Sequence, residues 1–417
     1  MIFRLAFRNV FRHRGRFLLG TFIVAIASLL LVYATGQIGG VRQALIRGMT
    51  DSLTGQIQIK PRAAPREFFD TPSSRKLDLI AAADLDPLLA KLRTLDIVQA
   101  ASPRLRFGAL IGNDERSTPA MIIGVDPKTE AGVTPDMGKT LGPLANPKAA
   151  LVSEYLTKKS GIGVGKEMLV FADTPGDSFS ARPYDIAAFA QSPVLIDEYM
   201  KGVVLVDFAS ARKLLGLEGG ANEIAIRLKP GFEANLDAAV AQISAALTPE
   251  QQKTLGVYSY NDTASAVKNI GNIATGMGAI QVGSIMFVML IIVLVITKMG
   301  LYERQAEIGT LMSLGMTRMR LLGLFMAEVM IKIVIGYGVG FLIAMLMLAG
   351  IRHDGGIKAA TAIDQYMYGG KIMIPVIDGP NIFLGFCIVI AASLLTTLVS
   401  CWKAGGEDAV VLLSQKK

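Results

Sequence analysis

Residues 161–167, GIGVGKE, are the first place to look for chemistry, because a glycine-rich turn ending in lysine can cradle phosphate. The pattern departs from a phosphate loop in three ways. The spacing from Gly161 to Lys166 is one residue short, Glu167 stands where a serine or threonine would hold magnesium, and an apolar run follows where a helix should open. The stretch is expected to be a turn entering a strand at Met168, and this chain is not expected to bind ATP. Hydrolytic and metal chemistry lack their parts as well. His13 and His353 are the only histidines and lie at opposite ends of the sequence, which excludes a His-based triad or a zinc cluster. Cys387 and Cys401 fall in or beside the last apolar run and provide neither a disulfide framework nor a metal site. Asp173, Asp177 and Asp185 are an acidic trio on a Pro- and Gly-containing stretch, with a calcium site and a solvated loop both open. No catalytic, cofactor or metal-ligating residue is expected, so the chain reads as a non-enzyme.

The charges that remain to be explained sit against apolar runs. Glu328 and Lys332 are spaced i, i+4, in the order that favours an ion pair, about two turns into a long apolar segment. Intramembrane charges usually face a bundle interior or a watery cavity. The two residues therefore read either as part of a conformational latch or substrate path, or as a pair near the inner interface with Lys332 snorkelling. Gly336 and Gly340 on the same segment form a G-x-x-x-G, a spacing that lets two helix backbones approach. Between two apolar runs lies a charged, helix-prone island, residues 302–320, YERQAEIGTLMSLGMTRMR. Glu303, Arg304, Glu307 and Arg318 would each cost about 2.5–3.5 kcal/mol at a membrane centre, so this island must stay on one side while its flanks span.

The elements that position these groups follow from composition. Of 417 residues, 52% are hydrophobic and only 18% charged, with a mean hydropathy of +0.46. A mixed membrane and soluble architecture fits both figures. The net charge of +8 does not point to nucleic acid, because much of the excess flanks apolar runs, where basic residues set orientation. The N-terminus interleaves Arg4, Arg8, Arg12 and Arg16 with Ile2, Phe3, Leu5, Phe7 and Phe11, a basic amphipathic segment suited to an anionic membrane surface. The uncharged run 17–36 is long enough to span and too long for the apolar part of a cleaved signal, and so reads as a retained anchor.

The expected layout is a cytoplasmic basic segment (1–16), a first span (17–36), an extracytoplasmic α+β domain (37–276), a second span (277–297), a cytoplasmic segment (298–320), a third span (321–350), an outer loop (351–381), a fourth span (382–401) and a cytoplasmic tail (402–417). The fold class is thus α-helical membrane protein, four transmembrane helices, with the large domain inserted between the first two. Lys298, Arg304, Arg318, Arg320 and Lys403 fall on the inner side, against Arg352, Lys358 and Lys371 outside. Within the large domain, strands are expected at 56–60, 104–111, 120–125, 167–172, 203–208, 222–228 and 256–260, and helices at 85–95, 153–159, 209–215 and 233–247. Residues 173–193 are expected to be an irregular insertion or a subdomain boundary.

This organisation resembles the MacB/FtsX/LolC-LolE family of ABC-transporter permeases, also called type VII or mechanotransmission transporters. The most specific likeness is the family's E-R-x-x-E-I-G-x-L-x-x-x-G followed by a Glu early in the third span; Glu303, Arg304, Glu307, Ile308, Gly309, Leu311, Gly315 and Glu328 occupy those places. Arg8-Asn9 with Arg12 and Arg16 is similar to its R-N-x-x-R-x-x-x-R, and residues 122–127, IIGVDP, resemble a strand end of its outer domain. The usual C-terminal proline motif is only echoed in residues 404–413, and Lys332 stands where an apolar residue belongs. The undivided layout is closest to the LolC/LolE branch. The resemblance implies that Tyr302 and the motif through Gly315 form a coupling helix on a separate cytoplasmic ABC ATPase dimer, which supplies ATP and magnesium. It also implies a second permease copy or paralogue, a bacterial inner-membrane location with both termini cytoplasmic, and a periplasmic carrier or adaptor. The substrate would be lipid-anchored or amphipathic, such as a lipoprotein. An FtsX-like transmitter that activates a cell-wall hydrolase and a MacB-like efflux pump are the alternatives within the same resemblance.

Overall fold

The protein, seen as a computed structural model, is described over residues 14–113, 116–190, 200–302, 316–377 and 379–404, together with Thr310 and Ser313. It divides into a helical unit (Met1–Gln43, Ile273–Lys358 and Ile372–Lys417) and a sheet unit (Ala44–Asn272 and Ala359–Lys371).

The sheet unit is built on strands β1 (Ile57–Pro61), β2 (Val98–Gly112), β3 (Ser117–Val125), β4 (Ala149–Val152), β5 (Glu167–Asp173), β6 (Phe179–Phe189), β7 (Val203–Asp207), β8 (Glu223–Leu228) and β9 (Leu255–Ser259). Their order in the sheet is β3-β7-β4-β6-β5-β2-β8-β1-β9, and β2 also pairs with β3. β3 with β7 and β4 with β6 run parallel, while β2 with β3, β5 and β8 run antiparallel. The alternation of strand side chains sorts apolar residues onto two faces. Ile122, Val204 and Val206 join a core with Leu88 and Leu92 of α2 (Ala82–Thr94) and with Ile243 farther along the chain. Their neighbours Met121, Ile123, Val203 and Leu205 join a second core with Met137, Leu141 and Leu144. With both faces covered, central strands read as continuous apolar runs.

Local signals start and stop the helices between strands. Asp126 caps α3 (Pro127–Val133) by accepting from the Lys128 amide, with Pro127 in the first turn. Ser153 caps α4 (Glu154–Ser160), and Gly161 ends it at φ +75°, a left-handed conformation that glycine takes without strain. The chain then turns at Gly165 and enters β5 at Glu167. Asp207 caps α5 (Phe208–Leu214), and α6 (Leu236–Ala246) follows an Asn235 cap.

One expectation is corrected here. Residues 173–193 are not an irregular insertion throughout, because β6 occupies Phe179–Phe189 and pairs with both β4 and β5. Only Tyr184 and Ile186 along β6 are buried apolar residues, and Pro183 interrupts its donors, so its sequence lacks the apolar density by which the other strands are recognised. β4, four residues long, is too short to show a period.

In the helical unit, α1 (Arg14–Met49), α7 (Ser265–Tyr302), α8 (Arg318–His353) and α10 (Gly379–Ala404) are long and apolar. Between α8 and α10 come a two-stranded ladder, β10 (Ile357–Lys358) with β11 (Ile372–Met373), and a short helix α9 (Ala362–Tyr368). Among the described residues, three helices are long and apolar enough to cross a membrane, spanning Phe17–Thr54, Gly271–Ile292 and Met319–His353. Leu18, Phe22, Phe287, Leu342 and Leu346 are exposed on these helices, as lipid-facing side chains would be. The division between units falls inside α1, after Gln43, and inside α7, after Asn272. Helical hydrogen bonding therefore continues past the point where hydropathy falls, because Gln37, Arg42 and Arg47 favour a helix as well as the apolar run does.

Candidate functional site

The helical unit is assembled around a close approach of α8 to α1. A Cβ on Gly336 would lie 2.7 Å from the Thr21 carbonyl oxygen and 2.8 Å from Val24 Cβ. One at Gly340 would overlap the Ala25 carbonyl and lie 2.8 Å from Ser28 Cβ. Only glycine admits the α1 backbone at these points. Gly338, two residues from each, has nothing within 4 Å. Between the two contact glycines, Ser28 donates to the Tyr337 carbonyl at 3.1 Å, and the Tyr337 hydroxyl donates to the Ile382 carbonyl at 3.1 Å. The Tyr337 ring also rests on Phe386, 4.6 Å between centroids. Tyr337 thus ties α8 to α10 while the glycines admit α1. Glu328 is buried and Lys332 half-buried, one turn apart on α8.

Tyr302 is the last residue of α7. Glu303, Arg304, Glu307, Ile308, Gly309, Leu311 and Gly315 lie outside the described residues, as do Arg4, Arg8 and Arg12; Arg16 lies within the first turns of α1. Of the acidic trio, Asp173 and Asp177 both face Arg75, at 3.7 and 3.2 Å, and Asp185 sits in β6. No group of three metal-ligating side chains comes together among the described residues.

In the sheet unit, charge is concentrated where α1 ends. After Met49 the chain makes a wide π-type turn over Thr50–Thr54, closed by the Gly55 amide donating to the Thr50 carbonyl. Gly55 has φ +69°, and a Cβ there would press on Val133 and the Ile226 carbonyl. This turn is gripped from three strands. Gln58 of β1 donates to the Thr54 carbonyl at 3.1 Å, Arg104 of β2 reaches the same oxygen at 3.4 Å, and Arg227 of β8 pairs with Asp51 at 2.8 Å.

Arg104 is the centre of the grip and is completely buried. Its guanidinium makes a two-pronged contact with Glu130 of α3, at 2.6 and 3.1 Å, and a third with Glu223 of β8 at 3.0 Å. Thr134 also donates to Glu130, at 2.8 Å. Arg106, two residues along β2, pairs with the other Glu223 oxygen at 3.3 Å, donates to the Phe68 carbonyl at 2.6 Å and stacks on the Phe68 ring. Lys60 donates to the Pro65 and Arg66 carbonyls.

The protonation balance follows from burial against these partners. Burial alone would lower the Arg104 pKa, but Glu130 and Glu223 outweigh it and the pKa rises. At Arg106 burial prevails, helped by Arg104, and the pKa falls. Burial would raise the pKa of Glu223, yet Arg106, Arg104 and Lys60 together hold it below the usual carboxylate value. Burial brings Lys60 down to about 8 in spite of Glu223. The arrangement can hold a turn rigidly. Sequence reasoning missed this cluster. Its signal was charge inside apolar strand runs, as in Arg104-Leu-Arg106-Phe and Glu223-Ile-Ala-Ile, which on a covered strand must be paired.

Residues 280–408 match the family model described as FtsX-like permease C-terminal. No curated protein matches the chain. Among solved structures, the periplasmic region of MacB from Actinobacillus actinomycetemcomitans is 12% identical over 54% of this chain and 96% of that one, with a TM-score of 0.35. The extracellular domain of the noncanonic ABC-type transporter YknZ from Gram-positive bacteria is 12% identical over 49% of this chain and 100% of that one, with a TM-score of 0.32. The part of the chain that holds most of α7, all of α8 and all of α10 is therefore similar to the FtsX-like permeases.

Proposed function

We propose that this chain is the membrane subunit of an ABC transporter whose ATPase is a separate protein. The observation that carries the reading is the match of residues 280–408 to the FtsX-like permease C-terminal family. Tyr302 and the following residues through Gly315 form the contact with that ATPase on the cytoplasmic side. Four spans, with α10 as the fourth, place both termini there and the sheet unit outside.

ATP binding draws two permease subunits together, and the helices pass the movement to the sheet unit. The grip of Arg104, Gln58 and Arg227 on the turn after α1 supports this, since a displaced turn must carry β1, β2 and β8 with it. The substrate is lipid-anchored or amphipathic, such as a lipoprotein, and leaves the outer leaflet for a periplasmic carrier. The test is ATP-dependent release of a lipid-anchored protein from nanodiscs that hold the permease and its ATPase. Release on ATP addition supports extraction. Hydrolysis without release contradicts it and favours a transmitter that acts on a cell-wall hydrolase.

A further inference from the structure

A cleft of about 680 Å³ opens on the sheet unit. Its floor is β2 and β3, at Leu110 and Met121; its sides are the segment carrying Phe69 and the β5–β6 pair carrying Phe171, Asp173 and Phe179. The size falls within the range of roughly 300–1,000 Å³ typical of small-molecule sites. Its apolar wall is left partly exposed by the described residues. Phe179 is 67% and Leu110 44% exposed, and the Phe171 and Phe179 rings stack at 6.0 Å between centroids, 19° from parallel. Thr71 and Ser74 bring hydroxyl groups to the same space.

The charge at the mouth selects among ligands. Among the described residues, Asp173 is the one ionisable residue lining the cleft, and it stands directly across the ladder from Phe179. It shares Arg75 with Asp177, and Arg75 lies nearer Asp177, at 3.2 Å against 3.7 Å. These two carboxylates and one guanidinium together carry one net negative charge. Lys201, beside the lining residue Gly202, points its ammonium at the Tyr155 ring, 5.4 Å away. A carboxylate next to stacked phenyl rings attracts an organic cation by charge and by the ring faces, and repels an anion of the same shape.

We propose that this cleft binds a cationic amphiphile, an aryl- or alkylammonium ion whose apolar body covers Phe171, Phe179 and Leu110 and whose charge lies by Asp173. Binding is an equilibrium property of the sheet unit and needs no ATPase, so it stands or falls apart from the transport reading.

The test uses the full chain in nanodiscs of zwitterionic lipid and a water-soluble photoprobe, benzoylbenzyl-trimethylammonium, with labelled peptides mapped by mass spectrometry. Saturable labelling of peptides containing Leu110 or Phe179 is expected, suppressed by phenyltrimethylammonium and not by benzenesulfonate. Asp173→Asn should weaken the probe about tenfold, a loss of one charge contact. Phe179→Ala, which truncates an exposed ring and leaves both cores intact, should weaken it severalfold. Labelling scattered over the surface, equal competition by the sulfonate, or unchanged saturation in both variants would each overturn the proposal.

Discussion

Replacing Glu130 with alanine should loosen the sheet unit far more than an ordinary surface carboxylate would. Arg104 is fully buried and would lose two of its three carboxylate contacts, those at 2.6 and 3.1 Å. Glu223 would then be the one carboxylate in contact with both Arg104 and Arg106, with Asp70 acting on Arg106, and Glu67 and Asp70 on Lys60, only through space. Removing one partner of a buried pair costs about 3–5 kcal/mol, because the other charge stays buried without compensation. The Thr134 hydroxyl would lose its 2.8 Å carboxylate acceptor but keep the Glu130 backbone carbonyl at 3.3 Å, so little is added. Hydrogen exchange on the full chain in nanodiscs reads this directly. Amides of β2 and β8 should lose protection by roughly a hundredfold to several thousandfold. The double variant Arg104→Met with Glu130→Met removes both charges and should recover most of that protection, since an apolar replacement of a buried pair is often close to neutral. A loss below about tenfold in Glu130→Ala, or a double variant no better than the single one, would refute the idea that this ion pair holds the strands.

Further expectations rest on other groups. The Lys60 pKa falls from 10.5 to about 8 on folding, so the unfolded chain binds more protons between those values and stability must rise with pH across that window. The gain is on the order of 3 kcal/mol, and it should vanish in Lys60→Met; a Lys60→Met variant with the same alkaline rise in denaturant midpoint would contradict the assignment. Gly340→Leu should separate α8 from α1, lowering the detergent melting temperature and abolishing cysteine cross-linking between the two helices. Gly338→Ala, with open space around it, should leave both intact or add up to about 1 kcal/mol of helix stability. Equal effects at Gly338 and Gly340 would dismiss the close-approach argument.

Much of the sheet unit was legible because its covered strands are short, continuous apolar runs, as at Ile122 and Ile123, and because its helices carry their own caps at Asp126, Ser153 and Asp207. β6 escaped because its pairing partners, not its side chains, make it a strand. The grip around Arg104 escaped for a different reason. A charge within a strand looks like an edge until the pairing shows both faces covered, and Glu130 and Glu223 lie 26 and 119 residues away in the chain. Such distant pairings leave no local spacing to read. Gly336 and Gly340 could be picked out by spacing, but the sequence does not say which helix they face; in the structure it is α1 of the same chain.

In the proposed function, an external ATPase works this chain through the stretch that begins at Tyr302. Co-purification of the permease with its ATPase, wild type against Glu307→Lys, tests it most directly. Glu307→Lys should insert into the membrane and keep wild-type hydrogen-exchange protection in the sheet unit, yet lose the ATPase. Retention of the ATPase at wild-type levels would contradict it.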